Sequence, residues 1–202
     1  MEQIINEAKA YLHRIGKYIR MSLILFAAAV FFGFWAAQNY PEEIGSYLEE
    51  MQSFFASMES PTSWGIFINI LGNNVEAMLT VVLLGIFAGL FSFTFLLANG
   101  FVVGVFLYLY DVQGLLPVFV MGILPHGIFE IPAMLFSAAI GLRIGATAVK
   151  KLFRKKESLT RELAEGIKFT VLCTIPVLAL AAFIEAYATP YFIAWAESGF
   201  AS

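Results

Sequence analysis

Residues 115–149 read LLPVFVMGILPHGIFEIPAMLFSAAIGLRIGATAV. Their only ionisable side chains are His126, Glu130 and Arg143. A straight α-helix of this length would extend about 52 Å at 1.5 Å per residue. A bilayer's hydrocarbon core is about 30 Å thick. Pro117, Pro125 and Pro132 offer break points, because proline lacks the N–H that continues a helix. The stretch therefore reads as a half-length helix over Leu115–Leu124, re-entrant or interfacial, followed by a span from Pro125 to Val149.

The rest of the chain has the same character. Its 202 residues are 60% hydrophobic and 13% charged, with a mean hydropathy of +0.80. Soluble domains are roughly 45–50% apolar and about 25% charged. The bilayer is therefore the expected solvent, and the length suits about five spans of roughly 20 residues. No room remains for a separate soluble enzyme domain. The single Cys173 excludes an intramolecular disulfide. With only His13 and His126 in the chain, a His/Cys metal set is not expected within one subunit. No cofactor, no metal and no nucleic-acid partner is expected.

Charge placement orients the spans. All 12 Lys and Arg fall in two blocks. One holds Lys9, Arg14, Lys17 and Arg20; the other runs from Arg143 through Lys150, Lys151, Arg154, Lys155, Lys156 and Arg161 to Lys168. The positive-inside rule puts both blocks in the cytoplasm. The expected spans are 21–38, about 75–97, about 101–110, 125–149 and 169–188. The first is read as an uncleaved anchor, being longer than a signal-peptide core. Residues 98–100 (ANG) would make an inner turn and 111–114 (DVQG) an outer one. The expected fold is all-α: a polytopic transmembrane bundle of about five spans in a single membrane domain over 21–188, N-terminus in and C-terminus out. Residues 150–168 form its basic loop and 189–202 an external tail. The expected location is the cell membrane.

Two flanks are amphipathic. In residues 1–20, Ile4, Ile5, Ala8, Leu12, Ile15 and Ile19 share a stripe, which suits a helix lying on anionic lipid or one packed against the other cytoplasmic segment. The external segment, residues 39–63, carries Glu42, Glu43, Glu49, Glu50 and Glu59 and no basic residue. Within it Ile44, Leu48, Met51, Phe55 and Met58 are spaced 4, 3, 4, 3, a heptad-like seam. Such a seam covers its own bundle or the outer leaflet, or docks an extracytoplasmic partner.

The polar residues of the apolar region are the candidate site. His126 and Glu130 lie one helical turn apart, on one face. Pro125, Gly127 and Pro132 mark a broken or kinked element around them. An ionised carboxylate facing lipid would cost several kcal/mol, so the pair must face the protein interior. Asn73, Asn74 and Glu76 at the expected start of the second span, and Asn99 at its far end, are available to meet it. Three readings stay open: a structural lock, a transport or proton-relay element, and a metal or hydrolase centre. No nucleophile elbow, His-Glu-Xaa-Xaa-His helix or phosphate loop occurs. Gly85 and Gly89, Gly100 and Gly104, and Gly141 and Gly145 are each four apart, a spacing that lets helices approach closely, within one subunit or in a homo-oligomer. Arg143 sits between two of these glycines, placed to snorkel or pair inward.

Two stretches, LGNNVEAMLTVVLLGIFAGLFSFTFLLANGFVVGVF (71–106) and GILPHGIFEIPAMLFSAAIGLRIG (122–145), resemble the stage II sporulation protein M family of integral membrane proteins. The resemblance covers roughly residues 20–190. It rests on the order of NN-x-E at Asn73, Asn74 and Glu76, LANG at Leu97–Gly100, and the Pro125–Gly145 block. It implies a non-enzymatic scaffold that localises cell-wall hydrolases, a lytic transglycosylase and an amidase or endopeptidase, during engulfment in sporulation. Relatives of this family also occur in non-sporulating organisms, archaea among them, and some accompany circular bacteriocin production and immunity. The positions that match its core are Asn73, Asn74, Glu76, Asn99, Gly100, Pro125, His126, Gly127, Glu130, Pro132 and Arg143. The expectation is a membrane scaffold touching lipids and extracytoplasmic partners. The alternative is a small transporter or export component that uses His126 and Glu130.

Overall fold

In a computed structural model, the structure describes residues 2–48, 62–153 and 158–200, and these are almost entirely helical. The helices are α1 (Glu2–Asn39), α2 (Ser63–Leu84), α3 (Leu90–Val112), α4 (Leu116–Leu152), α5 (Leu159–Phe169), a π-helical turn (Thr170–Thr174), α6 (Ile175–Tyr187) and α7 (Thr189–Phe200). Among the described residues, five helical stretches are long and apolar enough to cross a membrane, in line with the composition; the fifth is α5, the π turn and α6 read as one, Leu159–Tyr187. Large apolar side chains point outward along them, with Ile24 68% exposed and Phe31 73% exposed. A water-soluble monomer does not present so much contiguous apolar surface, and hydrocarbon is the solvent that suits these faces.

The helix boundaries differ from expectation in four places. First, α1 runs unbroken from the basic flank into the first span. Its 38 residues would extend about 57 Å, well beyond the hydrocarbon core. Among the described side chains of the flank's apolar stripe, Ile15 is buried and Ala8, Leu12 and Ile19 are half-buried in protein: with Tyr11 they pack on Val82, Ile140, Ile144 and Phe169. Arg14 pairs with Glu165, and Lys168 Nζ stands 2.6 Å from Glu7 Oε2. Of the two options for this flank, packing against the second basic segment is the one observed.

Second, the turn between the second and third spans lies at 85–89, not at 98–100. Ala88 and Gly89 both take positive φ, 56° and 76°, which reverses the chain. Leu97–Gly100 is the middle of α3. There Gly100 lies against Phe26 and Ala29 of α1, and Gly104 against Val30 and Phe34. Glycine at this spacing signals close helix approach as readily as a turn, and here it serves the α1–α3 contact. Gly85 meets Gly141 and Gly89 meets Gly145, so two backbones touch where α4 passes the turn.

Third, α2 starts at Ser63 behind a Thr62 cap, whose Oγ1 accepts from Gly65 N at 3.1 Å. Asn73, Asn74 and Glu76 therefore occupy the middle of the span and not its beginning. Polar residues were read as a membrane boundary because lipid penalises them; a polar cavity removes that penalty.

Fourth, α4 continues through Pro125 and Pro132 for 37 residues, so Leu115–Leu124 is the opening of this helix and not a separate half-length one. Each proline deletes one backbone donor but leaves most of the ladder intact. The fifth span likewise starts at Leu159 and not at 169, behind a Ser158 cap whose Oγ accepts from Arg161 N at 3.3 Å, and it includes the π turn.

Of the acidic-end seam, Ile44 is buried with Ala36, Ala37 and Val105, and Leu48 packs on the same cluster. Met51, Phe55 and Met58 lie outside the described residues.

Candidate functional site

The middle of α2 carries Asn73 and Asn74, the middle of α3 carries Asn99, the first half of α4 carries His126 and Glu130, and the end of α6 carries Glu185. All line one cavity of about 570 Å³. Phe26 of α1 closes another side, so each of the five spans contributes. The remaining lining is apolar, including Ile70, Val103, Phe106, Ile123 and Met134. Among the described residues, no Lys or Arg lines it.

Three side chains converge. One ligating atom each of His126, Glu130 and Glu185 lie within 4.8 Å of one another. All three are half-buried. Asn74 lies beside Glu130, close enough to act on its carboxylate. Thr189 Oγ1 is 3.5 Å from His126 Nδ1 and 3.4 Å from the Ile184 carbonyl, which ties the ring to the turn after α6. Asn99 Nδ2 donates to its own helix at Phe95 O, 2.9 Å, leaving its carbonyl oxygen free of that bond. Gly127 is buried beside the pair and gives the cavity width; a Cβ there would meet only the side chains of Ile123 and Ile131. Pro125 is half-buried and Pro132 exposed. Their missing N–H groups free the carbonyls of Met121 and Ile128 from the usual i−4 helical bond.

Two residues singled out in the sequence lie elsewhere. Glu76 is exposed and faces a neighbouring recess, with Thr80, Thr94 and Ala98, which shares Asn73 with the cavity. Arg143 lies toward the basic end, where its Nε stands 2.6 Å from Glu162 Oε1 and its Nη1 donates to the Arg14 carbonyl at 3.1 Å. It joins α1, α4 and α5 rather than the cavity.

Glu185 is the residue that sequence reasoning missed. Its signal was present: one carboxylate inside the apolar run Phe169–Ala188, with no basic residue near enough on the helix to balance it. The expectation of no metal set rests on there being only two histidines in the chain and does not name Glu185 as a donor.

The comparisons agree with this architecture. The stage II sporulation protein M family profile matches residues 22–190. The chain belongs to the stage II sporulation protein M family. An uncharacterized protein of Methanocaldococcus jannaschii is 34% identical over 178 residues, covering 85% of this chain and 93% of that protein. A second uncharacterized protein of the same organism is 32% identical over 101 residues, covering 48% of this chain and 45% of the relative. No solved structure matches. The matched family region holds every cavity residue described above, from Phe26 to Glu185.

Proposed function

We propose that this family member is a small membrane transporter or export component that handles a cation through the polar cavity. The observation that carries this reading is the convergence of His126, Glu130 and Glu185 within 4.8 Å, in a cavity that all five spans line. Ionisable groups at membrane depth are costly and mark ion pathways. Transporter sites also lie near the midplane, where helices lose backbone bonds; Pro125 and Pro132 create such losses on either side of His126 and Glu130. The reading requires no chemistry on a substrate, so it is non-enzymatic.

The test is flux into proteoliposomes that enclose a cation-sensitive dye. Glu130→Gln, an isosteric change, is expected to reduce flux to the protein-free leak while the purified protein keeps its helical circular dichroism. Wild-type flux in that variant would sink the proposal.

Family membership supports a second reading, a scaffold that anchors extracytoplasmic cell-wall hydrolases in the cell membrane. The helical stretch at 41–48 is the described part of the surface that would serve it. A photocrosslinking residue at Leu48 is expected to capture such a hydrolase in cells. Capture of lipid alone would count against the scaffold.

A further inference from the structure

The geometry points to a site for one divalent transition-metal cation, of the Mn²⁺ or Zn²⁺ class, held by His126, Glu130 and Glu185. This rests on reading the cavity as the functional site. Three observations combine. The donor set is one imidazole nitrogen and two carboxylate oxygens, brought together from two helices. Among the described residues, the cavity contains no Lys or Arg to balance the carboxylates. Polar neighbours stand beside the donors: Asn74 next to Glu130, and Thr189 Oγ1 3.5 Å from the ring Nδ1, which leaves Nε2 for an ion.

Charge decides the class of ligand. Two carboxylates so close in a low-dielectric setting require compensation by a cation or by protons. A divalent ion with two carboxylates and a neutral imidazole makes a site of zero net charge, the form least costly to keep in a bilayer. A monovalent ion would leave one negative charge. A mixed nitrogen and oxygen donor set favours first-row divalent metals over Ca²⁺ or Mg²⁺, which take all-oxygen shells. Ligating atoms about 2.1 Å from a metal stand at most about 4 Å apart, so binding would draw together any donors that now stand farther apart than that. Three protein ligands leave open positions, which the Asn74 or Asn99 carbonyl oxygens or water would fill; a site with open positions also lets the ion leave. Asn74 and Thr189 act as positioning residues that hold Glu130 and the imidazole in orientation.

The experiment uses the full chain in lipid nanodiscs, stripped with chelator and titrated calorimetrically with MnCl₂ and, separately, ZnCl₂. The expected result is saturable uptake of about one ion per chain and a rise in melting temperature with metal concentration. Glu185→Gln should weaken binding about tenfold or more, whereas Glu76→Gln, outside the cavity, should bind as the wild type does. If Glu185→Gln does not fold, His126→Asn makes the same comparison. No saturable uptake, or unchanged affinity in a folded Glu185→Gln or His126→Asn protein, overturns the inference and leaves compensation by protons. Metal binding without flux would overturn only the transport reading, and flux without metal binding only this inference.

Discussion

Arg143 on α4 and Glu162 on α5 form an ion pair at 2.6 Å, and the same guanidinium donates to the Arg14 carbonyl of α1 at 3.1 Å. One side chain thereby fastens three helices at the basic end. Glu162 is buried and Arg143 mostly so, at 7% and 19% side-chain exposure. Removing one partner of such a pair strands a charge. Glu162→Ala is expected to cost about 3 kcal/mol after allowance for the residual solvent contact of the arginine. Thermal unfolding in detergent should show a melting point lower by several degrees; an unchanged one would contradict the lock.

The backbone contact of Gly145 with Gly89 tolerates no side chain. Gly145→Leu should prevent α4 from passing the 85–89 turn, and little folded protein should survive size-exclusion chromatography. Gly16→Ala is the contrast. A Cβ there meets nothing within 4 Å, in the interior of α1. That change should stabilise the protein by roughly 0.5–1 kcal/mol through the higher helix propensity of alanine.

Ala88 has φ 56°, the left-handed region that costs a residue with a Cβ roughly 1–2 kcal/mol. Ala88→Gly should relieve that strain, offset in part by the larger entropy of the unfolded chain. The expected net gain is up to about 1 kcal/mol, read as a higher melting point. A fall would show that the Ala88 methyl makes a contact worth more than the strain.

Glu130 and Glu185 face one cavity, so their substitutions should not add. In metal-free protein, either single change to glutamine removes a like-charge neighbour. The double change should then gain less than the sum of the two, with a coupling of about 0.5–3 kcal/mol. Additive melting shifts in this cycle would mean that the two carboxylates do not sense each other.

The basic blocks and the apolar excess were enough to give five spans, because lipid and the positive-inside bias act on composition. The polar core residues were also legible: Asn73, Asn74, Asn99, His126 and Glu130 stood out against an apolar background, and the structure lines one cavity with them. Boundaries were not legible. Ala98–Gly100 and 85–89 both contain glycine, and only the packing of Gly100 on α1 separates a close contact from a turn. Asn73 and Asn74 looked like a membrane edge because no local pattern reveals a cavity built from distant helices. Glu185 went unread since it stood near the expected end of a span, where a carboxylate excites no suspicion. Arg143 reads as a residue that snorkels or pairs inward with the polar motif; in the structure it pairs with Glu162, which lies on another helix and leaves no mark at helical spacing.

The π turn at Thr170–Thr174 has a consequence for how the fifth span tolerates change. Glu162 and Glu185 are 23 positions apart. At about 100° per residue, a plain α-helix would set them about 140° apart around its axis. A π turn absorbs about one residue, which reduces the angle to about 40° and lets one helix present Glu162 to Arg143 and Glu185 to His126. The span therefore has a built-in slack link. Loss of one residue inside 170–174 would regularise the helix and keep both carboxylates aimed at α4. The same loss between 175 and 184 would swing Glu185 away from its neighbours while the lock at the basic end stayed closed.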